Sequence, residues 1–176
     1  MKAYYMDDDD KADYREDHDS GVSVSTDELN QLGVFYERME TMDEVDELAK
    51  KRHYKNRDEI VISPTSFGSP EALKAKLDAF FTTHIHEDEE IRYIKDGTGF
   101  FDVLNEKNGK WVRVRVEKND LLIVPAGIYH RFTLDTSNYI KAVRLFQDEP
   151  KWTPLNFPVN DNTYRETYLK SIGVSQ

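Results

Sequence analysis

Cysteine is absent from the 176-residue chain. Without a thiol there is no disulfide framework, no thiolate metal ligand and no cysteine nucleophile, and such a composition suits a reducing compartment. Long apolar runs are missing as well: none approaches the roughly 18 residues that a membrane-spanning helix needs. Positive charge is scarce, with 24 Lys and Arg against 34 Asp and Glu for a formal charge of −10. A chain without clustered cations is a poor match for phosphate backbones, so no binding to nucleic acid is expected. Met1-Lys2-Ala3-Tyr4-Tyr5-Met6 runs straight into Asp7 to Asp10 and offers no apolar segment of a secretory signal. A cytoplasmic monomer is expected, with the nucleus open to a chain this small.

What is present is a globular composition, 38% hydrophobic, and enough length for one domain whose core encloses a cavity. No repeat or low-complexity linker divides the chain. Residues 1–176 therefore read as one domain, with helical decoration and first strands in 1–82 and a β-barrel core in 83–150. The acidic N-terminal stretch is expected to fray ahead of the fold.

Ser25-Thr26-Asp27-Glu28 carries a capping box before Leu29 and Leu32, with Gly33 as a stop, and predicts a short helix. Residues 43–54 place Val45, Leu48, Ala49 and Arg52 at helical spacing. Ser69-Pro70 opens a third helix with Leu73, Leu77, Phe80 and Phe81 on one face. Residues 58–63 alternate around Ile60 and Ile62 as a strand. After His84 the period changes to that of strands, predicted at 91–95, 99–104, 111–116, 120–124, 128–134 and 139–146. The separators Asp96-Gly97, Asn108-Gly109, Lys118-Asn119, Pro125-Ala126-Gly127 and Ser137-Asn138 have turn chemistry. The fold class is mainly β, a jelly-roll barrel with N-terminal helices.

His84-Ile85-His86 is the sharpest local feature, because residues two apart on a strand share a face. His130 lies past the Pro125-Ala126-Gly127 turn, on the face of Ile128, Phe132 and Leu134. An imidazole on an inward apolar face needs partners for its ring nitrogens, and a metal ion is one such partner. Glu90 opens the strand on which Arg92 and Ile94 share its face. A straight chain would carry Glu90 about 13 Å from His86, so joint ligation requires a bend between them. Three imidazoles and a carboxylate form an N/O donor set suited to Fe(II), Ni(II), Mn(II), Co(II) or Zn(II), and they leave positions open on an octahedral ion. The packed-barrel alternative needs three histidines, an acid and matching parities to coincide by chance. His18 and His53 read as structural or solvent-facing, and Arg144 as an inward arginine paired with a buried acid not identifiable from sequence.

His84-x-His86-xxx-Glu90-xxxxxx-Gly97, followed by Pro125-x-Gly127-xx-His130, resembles the two-part signature of cupins. The strings HIHEDEEIRYIKDGTGFFDV and DLLIVPAGIYHRFTLDTSNYIKAVRLFQDEPKW, with DYREDHDSG and HYKNRDEI, resemble the acireductone dioxygenase family across nearly the whole chain. Two positions depart from the generic cupin pattern, since Asp78 and Asn119 stand where glycine is usual; Asn119 can still adopt positive φ.

The resemblance implies a cupin barrel and an enzyme of methionine salvage that cleaves 1,2-dihydroxy-5-(methylthio)pent-1-en-3-one with dioxygen. It implies one Fe(II) or Ni(II) per chain on His84, His86, Glu90 and His130. With iron the products would be 4-methylthio-2-oxobutanoate and formate; with nickel, 3-methylthiopropanoate, formate and carbon monoxide. Beside it, Arg92 is the best-placed donor to a substrate oxygen, with an ion pair to a neighbouring acid as its alternative. Glu89 is a candidate to orient a ligand imidazole. Phe80, Phe101 and Phe132 are candidates to wall the cavity and seat a methylthio tail. Two other functions compete: a cupin metal-dependent isomerase, which would need a basic phosphate pocket from Arg92, Arg131, Lys141 and Arg144, and a non-enzymatic cupin binding module.

Overall fold

The long strand that begins at Glu90 organises the molecule. The structure, a computed structural model, describes residues 1–149 and 153–175. The end of the second family string, Pro150-Lys151-Trp152, lies outside the described residues. Within them the order is β1 (Lys2–Met6), β2 (Asp19–Ser23), α1 (Thr26–Gln31), β3 (Phe35–Arg38), α2 (Met42–Lys51), β4 (Asn56–Ile62) and α3 (Pro70–Phe81). Then follow β5 (His84–Ile85), β6 (Glu90–Asn105), β7 (Lys110–Glu117), β8 (Asp120–Val124), β9 (His130–Leu134), β10 (Ile140–Phe146), β11 (Leu155–Asn156) and α4 (Thr163–Ser171).

β6 belongs to two sheets. Its first half pairs with β8 and β10, and its second half with β7 and β9. One sheet reads β11-β5-β9-β6-β7-β1-β2 and the other β3-β8-β6-β10-β4, with every pairing antiparallel. Val103, Val112 and Val114 of the first sheet and Ile94, Leu122, Val124 and Ile140 of the second form one core. This is the mainly-β jelly roll expected from sequence.

Asp96-Gly97 is not a turn, and the two strands expected around it are continuous. The register against β10 shifts between Lys141, opposite Asp96, and Ala142, opposite Ile94, which makes a bulge where β6 passes from one sheet to the other. Gly97 sits there at φ +77, and a Cβ on it would lie 2.3 Å from the Tyr139 carbonyl oxygen. Turns and bulges both ask for positive φ, so the dipeptide alone does not separate them. Gly97→Ala is expected to cost about 2–3 kcal/mol, seen as a lower urea midpoint at an unchanged m-value.

The N-terminus does not fray. β1 pairs with both β7 and β2, and residues 7–18 fold onto β7. The acidic residues there serve as local acceptors: Asp9 Oδ1 takes the Lys11 and Ala12 N–H groups, and His18 contacts Asp7 Oδ1 and the Asp13 carbonyl at 2.8 Å each. Helices are not confined to the N-terminal part either, since α4 follows the barrel. Its buried residues are Arg165, Tyr168 and Leu169, a face that carries a charge and so lacks a plain apolar stripe. α2 stops at Lys51 rather than near Tyr54. His53 takes φ +62 and the Tyr54 N–H reaches back to the Ala49 carbonyl at 2.8 Å, closing the helix as a glycine usually does. Asn119 has φ +75, as its place in the Lys118-Asn119 turn predicts.

Candidate metal centre

β5 is short, and the bend that shared ligation demands follows it. His86 leaves the strand, the chain turns at Glu87 and Asp88, and β6 starts at Glu90. Across from β5, His130 opens β9 directly opposite His84, so the two side chains share a face. The ring centroids lie 4.5 Å apart for His84 and His130, 4.9 Å for His84 and His86, and 5.4 Å for His86 and His130. One nitrogen from each ring falls within 4.8 Å of the others. Glu90 Oε2 lies 2.7 Å from His130 Nε2, so the carboxylate adjoins the triad.

The polar atoms here are paired on one side and orphaned on the other. His84 Nδ1 is 2.6 Å from the Thr82 carbonyl and His130 Nδ1 is 3.0 Å from the Ile128 carbonyl, contacts that make each Nδ1 a donor. Their Nε2 lone pairs are thereby left for another partner. His130 Nε2, Glu90 Oε2 and His86 Nδ1 are buried with no hydrogen bond, the first two being close without the alignment of one. Buried polar atoms are rarely left this way. Orphaned nitrogens converging beside a carboxylate fit a divalent cation, and the absence of sulfur favours a borderline or hard ion.

Electrostatics prepares the donors. Burial, reinforced by the neighbouring His130, pulls His84 down to about 4, and burial likewise lowers His86, so both are neutral near pH 7. For Glu90 burial acts upward, but Arg92 and then His130 outweigh it and hold the carboxyl well below its ordinary range. Arg92 Nη2 stands 2.9 Å from Glu90 Oε1.

These groups line a cavity of about 330 Å³. Phe80, Phe101 and Phe132 wall it, with Phe132 ring centroids 4.9 Å from Phe101 and 6.1 Å from Phe80. Arg92 faces it too, but as the partner of Glu90 and of the Ile91 carbonyl, the alternative that its sequence neighbours suggested. Glu89 accepts from the Tyr54 hydroxyl at 2.8 Å and lies 3.9 Å from Arg52, contacts that brace the bend. Of the remaining residues singled out, His53 is exposed and His18 is buried in the N-terminal loop. Arg144 forms a two-pronged pair with Asp58 at 2.8 and 2.7 Å at the cavity edge, and this acid is exposed rather than buried as expected, because β4 lies at the edge of its sheet.

Sequence reading missed part of the lining. Ile60 and Ile62, Ile140 and Ala142, and Lys76 with Ala79 line it as well. Each set carries a signal, alternation on β4 and β10 and helical spacing on α3, that identifies a face without saying what it encloses.

Comparison with known proteins adds to this geometry. The sequence model of the ARD/ARD' family matches residues 2–154. An acireductone dioxygenase from Emericella nidulans is 56% identical over 174 residues, covering 98% of this chain and 96% of that one. One from Puccinia graminis is 47% identical over 175 residues, with 98% and 96% covered. Among solved structures, an acireductone dioxygenase from Bacillus anthracis with a cadmium ion in its active centre superposes at a TM-score of 0.64 and 27% identity, over 74% of this chain and 87% of that one.

Proposed function

The chain belongs to the ARD/ARD' family and is a dioxygenase that cleaves acireductone, and on that premise we propose that it works with one Fe(II) or Ni(II) held by His84, His86, Glu90 and His130. The observation that supports this most is the orphaned set: buried imidazole nitrogens and a carboxylate oxygen facing a cavity with no hydrogen-bond partners. When bound, such an ion supplies Lewis acidity and open positions for small oxygen-containing ligands.

The chain's own residues do the rest. The Thr82 and Ile128 carbonyls fix the His84 and His130 rings with their Nε2 lone pairs available. Arg92 keeps Glu90 ionised and adds a cation to the cavity, which favours an anionic enediol. Phe80, Phe101 and Phe132 exclude water and give the methylthio tail an aromatic wall. Holding the substrate against this wall orients its reacting carbons toward the ligand set.

Held by these residues, iron would give 4-methylthio-2-oxobutanoate and formate and nickel would give 3-methylthiopropanoate, formate and carbon monoxide, a reaction that would belong to methionine salvage from methylthioadenosine. The test is to load the metal-free protein separately with Fe(II) and Ni(II), add acireductone anaerobically, and then admit air. Formate is expected from both forms and carbon monoxide from the nickel form alone. Identical products from both would overturn the metal-selected outcome.

Arg92 separates binding from turnover. Arg92→Met is expected to weaken metal binding by about 10- to 100-fold, the usual effect of losing a partner of a ligating carboxylate. kcat/KM for acireductone at saturating metal should still fall, because the cavity loses the cation beside the ligand set. Metal titration alongside steady-state kinetics checks both, and an unchanged kcat/KM would confine Arg92 to the ion pair.

A further inference from the structure

The Pro125–Gly127 turn carries a contact that links the far end of the chain to the metal centre. The Gly127 N–H donates to the His86 carbonyl at 3.0 Å, just where His86 has left β5 and is no longer held by a strand. The Gly127 carbonyl accepts from Arg165 Nη1 of α4, also at 3.0 Å, in a buried contact. Nη2 of the same guanidinium binds Glu106, and its plane covers the Tyr129 ring at 3.9 Å from the centroid. Arg165 is only 7% exposed. α4 lies flush on the turn: a Cβ on Gly127, which has φ +85, would be 2.3 Å from the Tyr164 carbonyl oxygen. Independently, the α4 cap residue Asn162 donates to Glu87 Oε2 at 3.4 Å on the other side of the His86 bend.

We propose that Arg165 is a positioning residue for the metal centre: it clamps the Gly127 carbonyl and so keeps the Gly127 N–H on the backbone of His86, two residues after His84, which lies opposite the start of β9. The inference rests on the ligand assignment above. The guanidinium suits this task because its fork binds two acceptors in one plane while its face stacks on an aromatic ring. An ammonium has no such plane, and in Arg165→Lys the charge of Glu106 draws it away from the neutral carbonyl. Outer contacts of this kind usually change metal affinity by about 10- to 100-fold.

The probe is Co(II), titrated into the metal-free full chain and followed by its visible absorption bands. His130→Ala, which should abolish the bands, controls for the ligand assignment; unaltered binding in that variant would overturn the assignment and this inference with it. Given that control, Arg165→Met is expected to raise the Co(II) dissociation constant about tenfold or more, shift the bands, and speed exchange of the Gly127 amide. Arg165→Lys, which keeps the charge beside Glu106 if the methionine variant fails to fold, should move all three in the same direction by less. Tyr168→Phe removes a different anchor of α4, its hydroxyl donating to the Leu32 carbonyl at 2.8 Å. It should lower thermal stability yet leave Co(II) affinity within about threefold. Folded Arg165 variants with parental affinity and bands would overturn the proposal. So would an equal loss of affinity in Tyr168→Phe, which would make the effect a general loosening of α4.

Discussion

Replacing His130 with alanine is expected to leave a folded protein that retains no metal through chelating dialysis and does not cleave acireductone. His130 is 2% exposed, pairs directly across from His84, and brings an unpartnered Nε2 to within 2.7 Å of Glu90. Losing a direct ligand should exceed the about 10- to 100-fold that outer contacts cost, so affinity should fall by about 10³-fold or more. The metal-free form should lose some stability, because the Ile128 carbonyl loses its His130 donor and a buried ring leaves a cavity, while the Nε2 that goes with it had no partner to lose. The metal-bound form should lose the added stability that ligand linkage gives to the native state. His84→Ala should behave alike. Metal analysis, oxygen uptake and thermal melts with and without metal check these outcomes together, and parental metal content in both variants would refute the ligand set.

The site was legible wherever one strand's parity suffices to place a side chain. His84 and His86 follow from a spacing of two, and His130 and Phe132 from a shared apolar face. Glu90 needed more: only a bend brings it back, and the Glu87-Asp88 stretch supplies one. Glu89 shows where the signal ends. Whether an acid beside a ligand faces an imidazole or a distant phenol depends on Tyr54, which arrives from just beyond α2. Nothing local to residue 89 encodes that meeting. Arg144 is intermediate, since its parity on β10 was readable but its partner Asp58 lies on β4.

The fold divides in a similar way. β8 spans Asp120–Val124, as its apolar run between turns predicts, whereas β6 runs through a dipeptide that reads as a turn. A residue's preference for positive φ is local, but whether the chain reverses or only bulges there is decided by which strands lie alongside. The N-terminal residues look disordered by composition, yet their carbonyls are what a buried arginine on β7 needs. Burial of Arg113 and order in residues 7–18 are one event, visible only when both are placed.

That arginine belongs to the part of the molecule where a single substitution should be most damaging to stability. Asp102 on β6 is 1% exposed and lies opposite Arg113 on β7 and Arg131 on β9. Its Oδ1 accepts from Arg113 Nε at 2.7 Å, and its Oδ2 from Arg113 Nη2 at 2.9 Å and Arg131 Nε at 3.0 Å. Arg113 has no exposed surface; it also donates to the Tyr14 and Glu16 carbonyls and stands over the Phe100 ring. Arg131 lies against the rings of Phe81 and Trp111. Assembling such a group gains little over an apolar core, because desolvation offsets most of the attraction, but removing one member leaves the others charged, buried and unmatched. Asp102→Ala strands two cations at once and is expected to cost about 3–5 kcal/mol, lowering the melting temperature by about 10 °C or more. Asp102→Leu combined with Arg113→Met and Arg131→Met should recover much of that loss, since it removes the stranded charges along with the pair. Urea unfolding of the two proteins decides the matter. A loss below about 1 kcal/mol in Asp102→Ala would mean that water reaches the arginines and solvates them. A triple variant no more stable than the single one would mean that the carbonyls of residues 7–18, left without their donor, matter more than the buried charge itself.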